Sequence, residues 1–400
     1  MERKLTATSN NPKPKKREEE FMDPMKFIEE KRQEILKIYQ ELHALAEPSW
    51  KEEKTSRYLL EKLIASGMKV KTFPGHYGII AEITGEQPEV IALRADMDAL
   101  LQEVNGQVQA NHSCGHDAHS TMVLMTALAL CKTKPKHTVR FLFQPAEEVA
   151  GGALKMMEDG ALTNVRFLGG VHLRPSFEIP YGKAAPIILH GSTTTLKGVI
   201  RGVQAHAARP EEGNNPIEAA MLLIQAIKQI RLSNVGRYSI KITELHGGTV
   251  SNAIPETARF TFDLRSETNE GMKALIAKTD HIVRNIAQLT ETEIEFSLDD
   301  EFSPAAIEHP QAVESAEFAI SAILGKENVV PTCVSPGAED FHFYTLKNPN
   351  LSATMIGLGC GLAPGLHHPM MSFDQEALIY GTKILTKMML EADQRNWFVS

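Results

Sequence analysis

Four short segments of the chain have the composition of buried strands, and each is followed by side chains that can bind a metal or transfer a proton. A short, largely apolar run is typical of a parallel strand that is buried on both faces. In open α/β sheets, ligands bind beyond the carboxyl ends of such strands. The sequence therefore predicts an α/β fold with a site at one edge of a sheet. The segments and the residues that follow them are 90–93 with Asp96 and Asp98, 138–143 with Glu147 and Glu148, 165–171 with His172, and 353–358 with His367.

A loop rich in potential metal ligands precedes an apolar helix. Residues 111–120 contain a cysteine, three histidines and an aspartate, although the whole chain has only four cysteines. Gly115 separates Cys114 from His116 and lets the backbone turn sharply, so a thiolate and an imidazole can face one point. An apolar helix is predicted over 120–130. This combination indicates a metal site or a catalytic site.

Five side chains from these regions make a mixed donor set of thiolate, imidazole and carboxylate groups. Zinc, manganese, nickel and cobalt can all be held by such a set. Five protein ligands are more than one catalytic zinc uses, so two ions about 3.5–4 Å apart with a shared ligand fit better. Taken singly, a buried cysteine is usually a core residue, and a buried histidine is usually a hydrogen-bonded polar group. The predicted ligands are Cys114, His116, Glu148, His172 and His367.

Glu147 is the predicted general base. It adjoins Glu148, and adjacent side chains start in different directions, so one can bind metal while the other stays free. A free carboxylate beside a metal-activated water is a natural base in metal-assisted hydrolysis. The alternative is that both glutamates are solvated surface acids.

Four further residues have predicted supporting roles around the ligands. Asp98 can accept a hydrogen bond from a ligand imidazole and fix its tautomer. Asp96 can do the same or bind the metal, and the alternative for both is a cap at the strand end. Asp117 and His119 either support the ligands or simply begin the helix, where an aspartate suits the helix dipole. The other histidines considered are His112, His309, His342 and His368, which are predicted to be structural or solvent-facing.

The length of the chain, 400 residues, predicts two domains, because single cores stop growing at about 250–300 residues. The segment 190–303 has the predicted element order β-α-β-β-α-β, which is that of a ferredoxin-like unit. We therefore expect an α+β domain inserted into a catalytic domain made of 23–189 and 304–400. The polar start, 1–22, is predicted to be a disordered tail.

Charge and composition narrow the class of protein. The net charge of −8 disfavours a general nucleic-acid role, and no apolar run approaches the roughly 20 residues that cross a bilayer. The start of the chain lacks the apolar core of a secretory signal. The cysteines show no disulfide framework spacing, which is typical of a reducing compartment. These features predict a cytoplasmic protein without a nucleic-acid or membrane partner.

Five motifs occur in order along the chain: Arg-Ala-Asp-Met-Asp-Ala-Leu at 94–100, Cys-Gly-His-Asp-Ala-His at 114–119, Gln-Pro-Ala-Glu-Glu at 144–148, Gly-Val-His at 170–172 and Leu-His at 366–367. Together they resemble the amidohydrolase branch of the co-catalytic metallopeptidases, the wider group that includes aminoacylase one. This branch includes N-acyl-amino-acid amidohydrolases, hippurate hydrolases, auxin-conjugate hydrolases and N-acetyldiaminopimelate deacetylases. The resemblance covers nearly the whole chain after Met25. Departures from the family's pattern at 111–113 and 210–211 put the substrate in question but remove no ligand.

The resemblance implies a mixed-sheet catalytic domain of the zinc-peptidase type with an inserted lid and dimerisation domain. It implies two divalent metal ions held by the five ligands above, with Glu147 as the general base. It also implies that His206 polarises the scissile carbonyl and that Asn252 and Arg265 bind substrate, although chemistry alone favours structural roles for all three. The motif Gly-Ala-Glu-Asp-Phe at 337–341 would lie near the active site.

The predicted function is metal-dependent hydrolysis of the amide bond of N-acyl amino acids. A metal-activated water would attack the carbonyl, and a homodimer would form through the lid domain. A dipeptidase or aminopeptidase on the same scaffold is one alternative. A catalytically silent homologue that binds metal or peptide is another.

Overall fold

The computed structural model describes residues 23–298 and 302–397, so the predicted tail, 1–22, lies outside the described residues. No helix within these two ranges is both long and apolar enough to span a membrane. The helices are α1 (Pro24–Glu30), α2 (Arg32–His43), α3 (Glu53–Ala65), α4 (His116–Leu130), α5 (Gly152–Glu158), α6 (Pro216–Ile227), α7 (Asn269–Thr290), α8 (Pro310–Leu324), α9 (His342–Lys347) and α10 (Glu376–Gln394), with short 3₁₀ helices at Pro210–Glu212 and Lys326–Asn328. The strands are β1 (Lys69–Phe73), β2 (His76–Ile83), β3 (Gln87–Asp96), β4 (Leu100–Val104), β5 (Gln107–Asn111), β6 (His137–Gln144), β7 (Val165–Pro175), β8 (Ala184–Ala185), β9 (Ile188–His190), β10 (Ser192–Arg201), β11 (Ala205–His206), β12 (Tyr238–Gly247), β13 (Ala253–Ile254), β14 (Thr257–Ser266), β15 (Glu293–Leu298), β16 (Cys333–Ser335) and β17 (Ser352–Leu362).

Seven strands form a mixed central sheet in the order β1-β2-β6-β3-β7-β17-β8. Its four inner strands, β6, β3, β7 and β17, are parallel to one another, so their carboxyl ends meet at one edge. The predicted α/β fold is confirmed, and so is the convergence of the four strand ends. One boundary was wrong, because β7 continues to Pro175 and His172 therefore lies within the strand and not after it. The strand is longer because β17 pairs with it as far as Pro175.

Helix α4 is a core helix that packs against α2, α10 and strand β3. All but one of its residues are buried, as expected of a helix with apolar surroundings on every side. It begins at His116, one turn earlier than predicted. The preceding Gly115 has a φ of 93°, in the left-handed region that favours glycine. The earlier start places His116 and His119 on one face of a rigid helix instead of in a loop.

The inserted segment forms a separate four-stranded antiparallel sheet in the order β12-β14-β10-β15. Helices α6 and α7 cover one face and share an apolar core with the strands. Alternate residues of β14 are buried, which shows that only one face of the sheet is covered. The chain order β10-α6-β12-β14-α7-β15 is ferredoxin-like, as predicted. The domain boundaries at 190 and 303 stay a prediction.

Candidate metal centre

Five candidate donors meet at the carboxyl edge of the central sheet. The Sγ of Cys114 lies 3.5 Å from the Nε2 of His172. The carboxylate of Glu148 lies 3.8 Å from the Nε2 of His116 and 3.6 Å from the Nε2 of His367. These atoms form overlapping groups of three, and within each group all atoms lie within 4.8 Å of one another. The structure thus brings together the whole predicted ligand set.

Hydrogen bonds orient two of the imidazoles towards this point. The Nδ1 of His116 lies 3.0 Å from the carbonyl oxygen of Asp98, and the Nδ1 of His172 lies 2.7 Å from that of Leu173. A carbonyl oxygen only accepts, so in both rings Nδ1 carries a proton and Nε2 is the nitrogen that can bind a metal. In each ring Nε2 is the nitrogen that lies near the other donors. A metal ligand needs this tautomer and this orientation.

Two atoms at the centre are buried without a hydrogen-bond partner among the described residues. They are the Nε2 of His116 and the Oε1 of Glu148. Buried polar atoms are normally paired, so two unpaired acceptors side by side need an explanation. Burial also raises the pKa of Glu148 to about 7, although His116 opposes the shift. A divalent cation would satisfy both lone pairs and favour the ionised carboxylate, so the donor set fits a metal.

His367 comes from the loop after β17 and is the most exposed of the five candidate ligands. Its side chain is 54% exposed, and its φ of 63° lies in the left-handed region. Its N–H donates to the carbonyl oxygen of Ser113 at 2.8 Å, and its own carbonyl accepts from Gln102 at 2.7 Å. These bonds hold an unfavourable backbone conformation next to Cys114, as is often seen at functional sites.

Asp98 joins the His116 imidazole to the loop that carries the two glutamates. Its Oδ1 lies 3.3 Å from the Nδ1 of His116 and accepts the N–H of Glu147 at 3.1 Å. Its Oδ2 accepts the N–H of Glu148 at 3.1 Å and the hydroxyl of Ser49 at 2.6 Å. Burial opposes ionisation of Asp98, but these hydrogen bonds outweigh it and lower its pKa. Asp98 therefore contacts a candidate ligand directly and stays charged.

Asp96 and His119 form a second pair behind the donors. The Oδ1 of Asp96 lies 2.7 Å from the Nδ1 of His119, and the Nε2 of His119 accepts the N–H of Leu173 at 3.0 Å. Both nitrogens of His119 are thereby occupied, so this ring supports the strand beside His172 and has no lone pair left for a metal. Asp117, predicted to support the ligands, instead contacts His43 at 2.7 Å.

The buried Arg94 links three carboxylates behind the site. Its guanidinium is 1% exposed and lies 2.5 Å from Asp96, 2.8 Å from Asp340 and 3.1 Å from Glu339. Its Nε also donates to the side chain of Gln144 at 2.9 Å. Arg94 has no predicted role beyond its place in the motif at 94–100. The missed signal was an arginine directly after the run 90–93, which was predicted to be a strand buried on both faces, because a buried charge must be paired.

The carboxyl group of Glu147 is buried, and one of its two oxygens lies close to the donors. Its Oε2 lies 3.8 Å from the Nε2 of His116, and its Oε1 accepts the N–H of Asp340 at 3.4 Å. Burial raises the pKa of Glu147 well above its usual range, and the charges of Glu339 and Asp340 add to this effect. A carboxyl group with a raised pKa accepts a proton more readily, which suits a general base.

The structure does not bring His206 and Asn252 to the donors. Both side chains are exposed on the ferredoxin-like unit, where the N–H of Ala207 donates to the carbonyl of Asn252 at 3.0 Å. Neither lines the cavity beside Glu147. Arg265 does not line it either, but its Nη1 donates to the carbonyl of Pro336, a lining residue, at 3.3 Å.

The cavity that contains the candidate donors has a volume of about 540 Å³, which suits a small molecule. Four of the five donors line it together with Glu147. Arg174 and Glu178 also line the cavity and form a part-buried ion pair, and Arg174 donates to the hydroxyl of Ser335 at 2.8 Å. Phe177 lines the same cavity and is 79% exposed, so an apolar ring is available to a ligand.

Comparisons with known proteins agree with this arrangement. The model of peptidase family M20/M25/M40 matches residues 92–391. The N-acetylcysteine deacetylase of Bacillus subtilis is 30% identical over 374 residues, which are 88% of this chain and 95% of that protein. The N-acetyldiaminopimelate deacetylase of Streptococcus thermophilus is 29% identical over 379 residues, or 89% and 98% of the two chains. A longer protein of Rhodococcus jostii is 29% identical over 389 residues, and this chain spans 47% of its length.

Solved structures show the same fold. The YXEP protein of Bacillus subtilis, named as a dinuclear metal-binding peptidase of family M20, superposes with a TM-score of 0.79 at 28% identity and covers 92% of this chain and 99% of its own. A protein from methicillin-resistant Staphylococcus aureus has a TM-score of 0.83 at 24% identity, with the same coverage, and shows the fold alone. The chain therefore belongs to peptidase family M20/M25/M40, and it is a hydrolase of amide bonds.

Proposed function

We propose that this chain hydrolyses the amide bond of N-acyl amino acids in a reaction that depends on two divalent metal ions. The observation that carries the proposal is the buried carboxyl group of Glu147 beside five clustered metal-type donors, four of which line one cavity with it. The two deacetylases among the relatives support the substrate class. The cavity volume of about 540 Å³ is also suited to a small molecule such as an N-acyl amino acid.

Cys114, His116, Glu148, His172 and His367 would hold the two ions. When bound, the ions would lower the pKa of a water to about 7 and withdraw electron density from the carbonyl oxygen of the substrate. Manganese, zinc, nickel and cobalt all suit a donor set of one thiolate, three imidazoles and one carboxylate.

Glu147 would move the proton during the reaction. It would accept a proton from the attacking water and then transfer it to the nitrogen of the leaving amine, so that the products are a carboxylic acid and a free amino acid. The raised pKa of Glu147 favours proton uptake, and its burial keeps bulk water from competing. Asp98 would keep the His116 ring in its metal-binding tautomer, because it contacts the opposite nitrogen.

The lid residues complete the proposal. His206 would polarise the scissile carbonyl, and Asn252 and Arg265 would bind the rest of the substrate. Because His206 and Asn252 are exposed and do not line the cavity of their own chain, we propose that a second copy, joined through its lid, supplies them. Light scattering would measure the oligomeric state, and a monomer with full activity would contradict this arrangement.

Removal of one candidate ligand is expected to remove metal. His367→Ala should bind about one ion in place of two, because a shared site loses one of its donors. Elemental analysis of the purified protein would measure the metal content, and thermal unfolding would show a lower Tm, since bound metal stabilises the folded state. The matched control is His368→Ala, an adjacent exposed histidine outside the donor set. Equal metal content in the two variants would exclude His367 as a ligand.

The proposed function is tested by metal analysis coupled to a substrate panel. N-acetyl and N-benzoyl amino acids would be compared with dipeptides that contain the same amino acids, and the release of free amino acid would be measured. Faster hydrolysis of the acyl amino acids supports the proposal. Faster hydrolysis of the dipeptides would identify a dipeptidase, and full metal occupancy without any hydrolysis would identify a silent homologue.

A further inference from the structure

Two buried carboxylates hold the backbone of the loop that carries Glu147 and Glu148. Residues 146–148 present three successive N–H groups, and each donates to a carboxylate oxygen. The N–H of Ala146 donates to the Oε1 of Glu52 at 2.9 Å, and the next two donate to Asp98 at 3.1 Å each. Glu52 is therefore part of the same backbone support as Asp98, although it does not contact a candidate ligand.

These hydrogen bonds hold a backbone segment that has an unfavourable conformation at Ala146. Ala146 has a φ of 55°, in the left-handed region that residues with a Cβ rarely adopt. Its carbonyl accepts the N–H groups of Gly151 and Gly152 at 3.3 and 3.1 Å, which closes the turn. A Cβ added to Gly152 would lie 1.7 Å from the carbonyl oxygen of Pro145, so the turn is tightly packed. An unfavourable conformation persists only where its surroundings over-determine it.

The side chain of Glu52 makes one further hydrogen bond among the described residues. It is fully buried, and its Oε1 also accepts the N–H of Trp50 at 2.9 Å, while its Oε2 has no partner among the described residues. Glu52 precedes helix α3, but its side chain makes no capping bond to that helix. Glu47 does this instead, because it accepts the N–H groups of residues 54 and 55 at 2.9 Å each. Burying a carboxyl group is costly unless hydrogen bonds compensate for it, and Glu52 is compensated by the N–H groups of Trp50 and Ala146.

We propose that Glu52 is a positioning residue for the metal centre. By accepting the N–H of Ala146, it holds the left-handed turn that sets the directions of the Glu147 and Glu148 side chains. This inference rests on the proposed function, in which Glu148 binds metal and Glu147 moves the proton. Residues that orient metal ligands through hydrogen bonds typically change metal affinity or activity by about 10–100-fold when they are replaced.

The experiment compares Glu52→Ala with Glu47→Ala in the full-length protein. Each variant removes a carboxylate oxygen that accepts two backbone N–H groups, but only the oxygen of Glu52 bonds to the loop at 146–148. Metal affinity would be measured by competition with a chelator, and hydrogen exchange of metal-free protein would be followed in peptides that cover 144–152. We expect Glu52→Ala to lose about 10–100-fold in affinity and to exchange faster in this loop. Glu47→Ala should change exchange in α3 alone.

Conservative variants separate positioning from folding. Glu52→Gln keeps an acceptor oxygen at the same distance and should restore most of the metal affinity. Glu52→Asp withdraws the acceptor by one methylene and should show the loop effect even if Glu52→Ala does not fold. Metal affinity and loop exchange that do not differ between the Glu52 and Glu47 variants would overturn the inference. Failure of the wild-type protein to hydrolyse any acyl amino acid would overturn the proposed function instead, because neither readout depends on turnover.

Discussion

Replacement of Glu147 by Gln is expected to lower kcat by about 10²–10⁴-fold, the usual contribution of general acid–base catalysis. Gln has nearly the same shape and can still accept the N–H of Asp340, so the loop should keep its conformation. It cannot take a proton from water or give one to the leaving amine. The release of free amino acid from an acyl amino acid would measure kcat, and elemental analysis should show an unchanged metal content.

The matched control for this variant is Glu158→Gln, the same change on an exposed side chain of α5. It should hydrolyse substrate at the wild-type rate. Normal turnover in Glu147→Gln would remove Glu147 from the mechanism. Loss of metal in that variant would instead indicate that Glu147 is a ligand. The geometry permits this alternative, because the Oε2 of Glu147 lies 3.8 Å from the Nε2 of His116.

The largest loss of stability is expected from Arg94→Met. Arg94 is buried with three carboxylates around it, those of Asp96, Glu339 and Asp340. Burial opposes its charge, but the three carboxylates outweigh burial and raise the pKa of Arg94 above its usual value. Methionine fills a similar volume but leaves the carboxylates without their cation. Breaking a buried ion pair on one side costs about 3–5 kcal/mol, which denaturant unfolding of metal-free protein would measure.

Arg140→Met is the control for Arg94→Met. Arg140 is also nearly buried but pairs with a single carboxylate, that of Glu82, whose side chain is 28% exposed. The loss of stability in Arg140→Met should be smaller, about 1–3 kcal/mol, because water can reach the carboxylate of Glu82 that is left. Equal losses of unfolding free energy in the two variants would show that the three carboxylates around Arg94 do not make its removal more destabilising.

The effect of Arg94→Met should also depend on pH. Burial raises the pKa of Asp340 to about 7 even with Arg94 present, and loss of the cation would raise it further. A carboxyl group whose pKa is raised by folding binds more protons in the folded state, so its contribution to stability is lost as the pH rises from about 4 to the folded value. The gap between variant and wild type should therefore be larger at pH 8 than at pH 5. An equal difference in the free energy of unfolding at pH 5 and pH 8 would contradict the conclusion that Asp340 loses its proton between these values.

Hydrophobic pattern was enough to predict the parts of the fold that have long apolar runs or strict alternation. The four inner strands of the central sheet were predicted, although β3 and β7 are longer than expected, and so was the element order of the ferredoxin-like unit. Strands β4 and β5 were missed because each has only five residues and none of them is buried, so no buried apolar run marks either strand. The exact start of α4 was also missed, since its first turn is made of polar residues that are buried only in the folded chain.

The sequence by itself determined which side chains could bind metal. Glu148 and His367 follow inner strands of the sheet, His172 lies near the end of another, and parallel strands end at one edge. Cys114 and His116 belong to the segment 111–120, which is rich in metal-binding side chains. Only the tertiary structure decided how the neighbouring groups are used. His119 and His116 are alike in the sequence, but the N–H of Leu173 occupies the second nitrogen of His119 and leaves that of His116 free. Arg94 pairs with Asp340, and Ala146 donates to Glu52, although long stretches of chain separate the partners. A hydrogen bond depends on distance and direction in space, which local patterns do not contain.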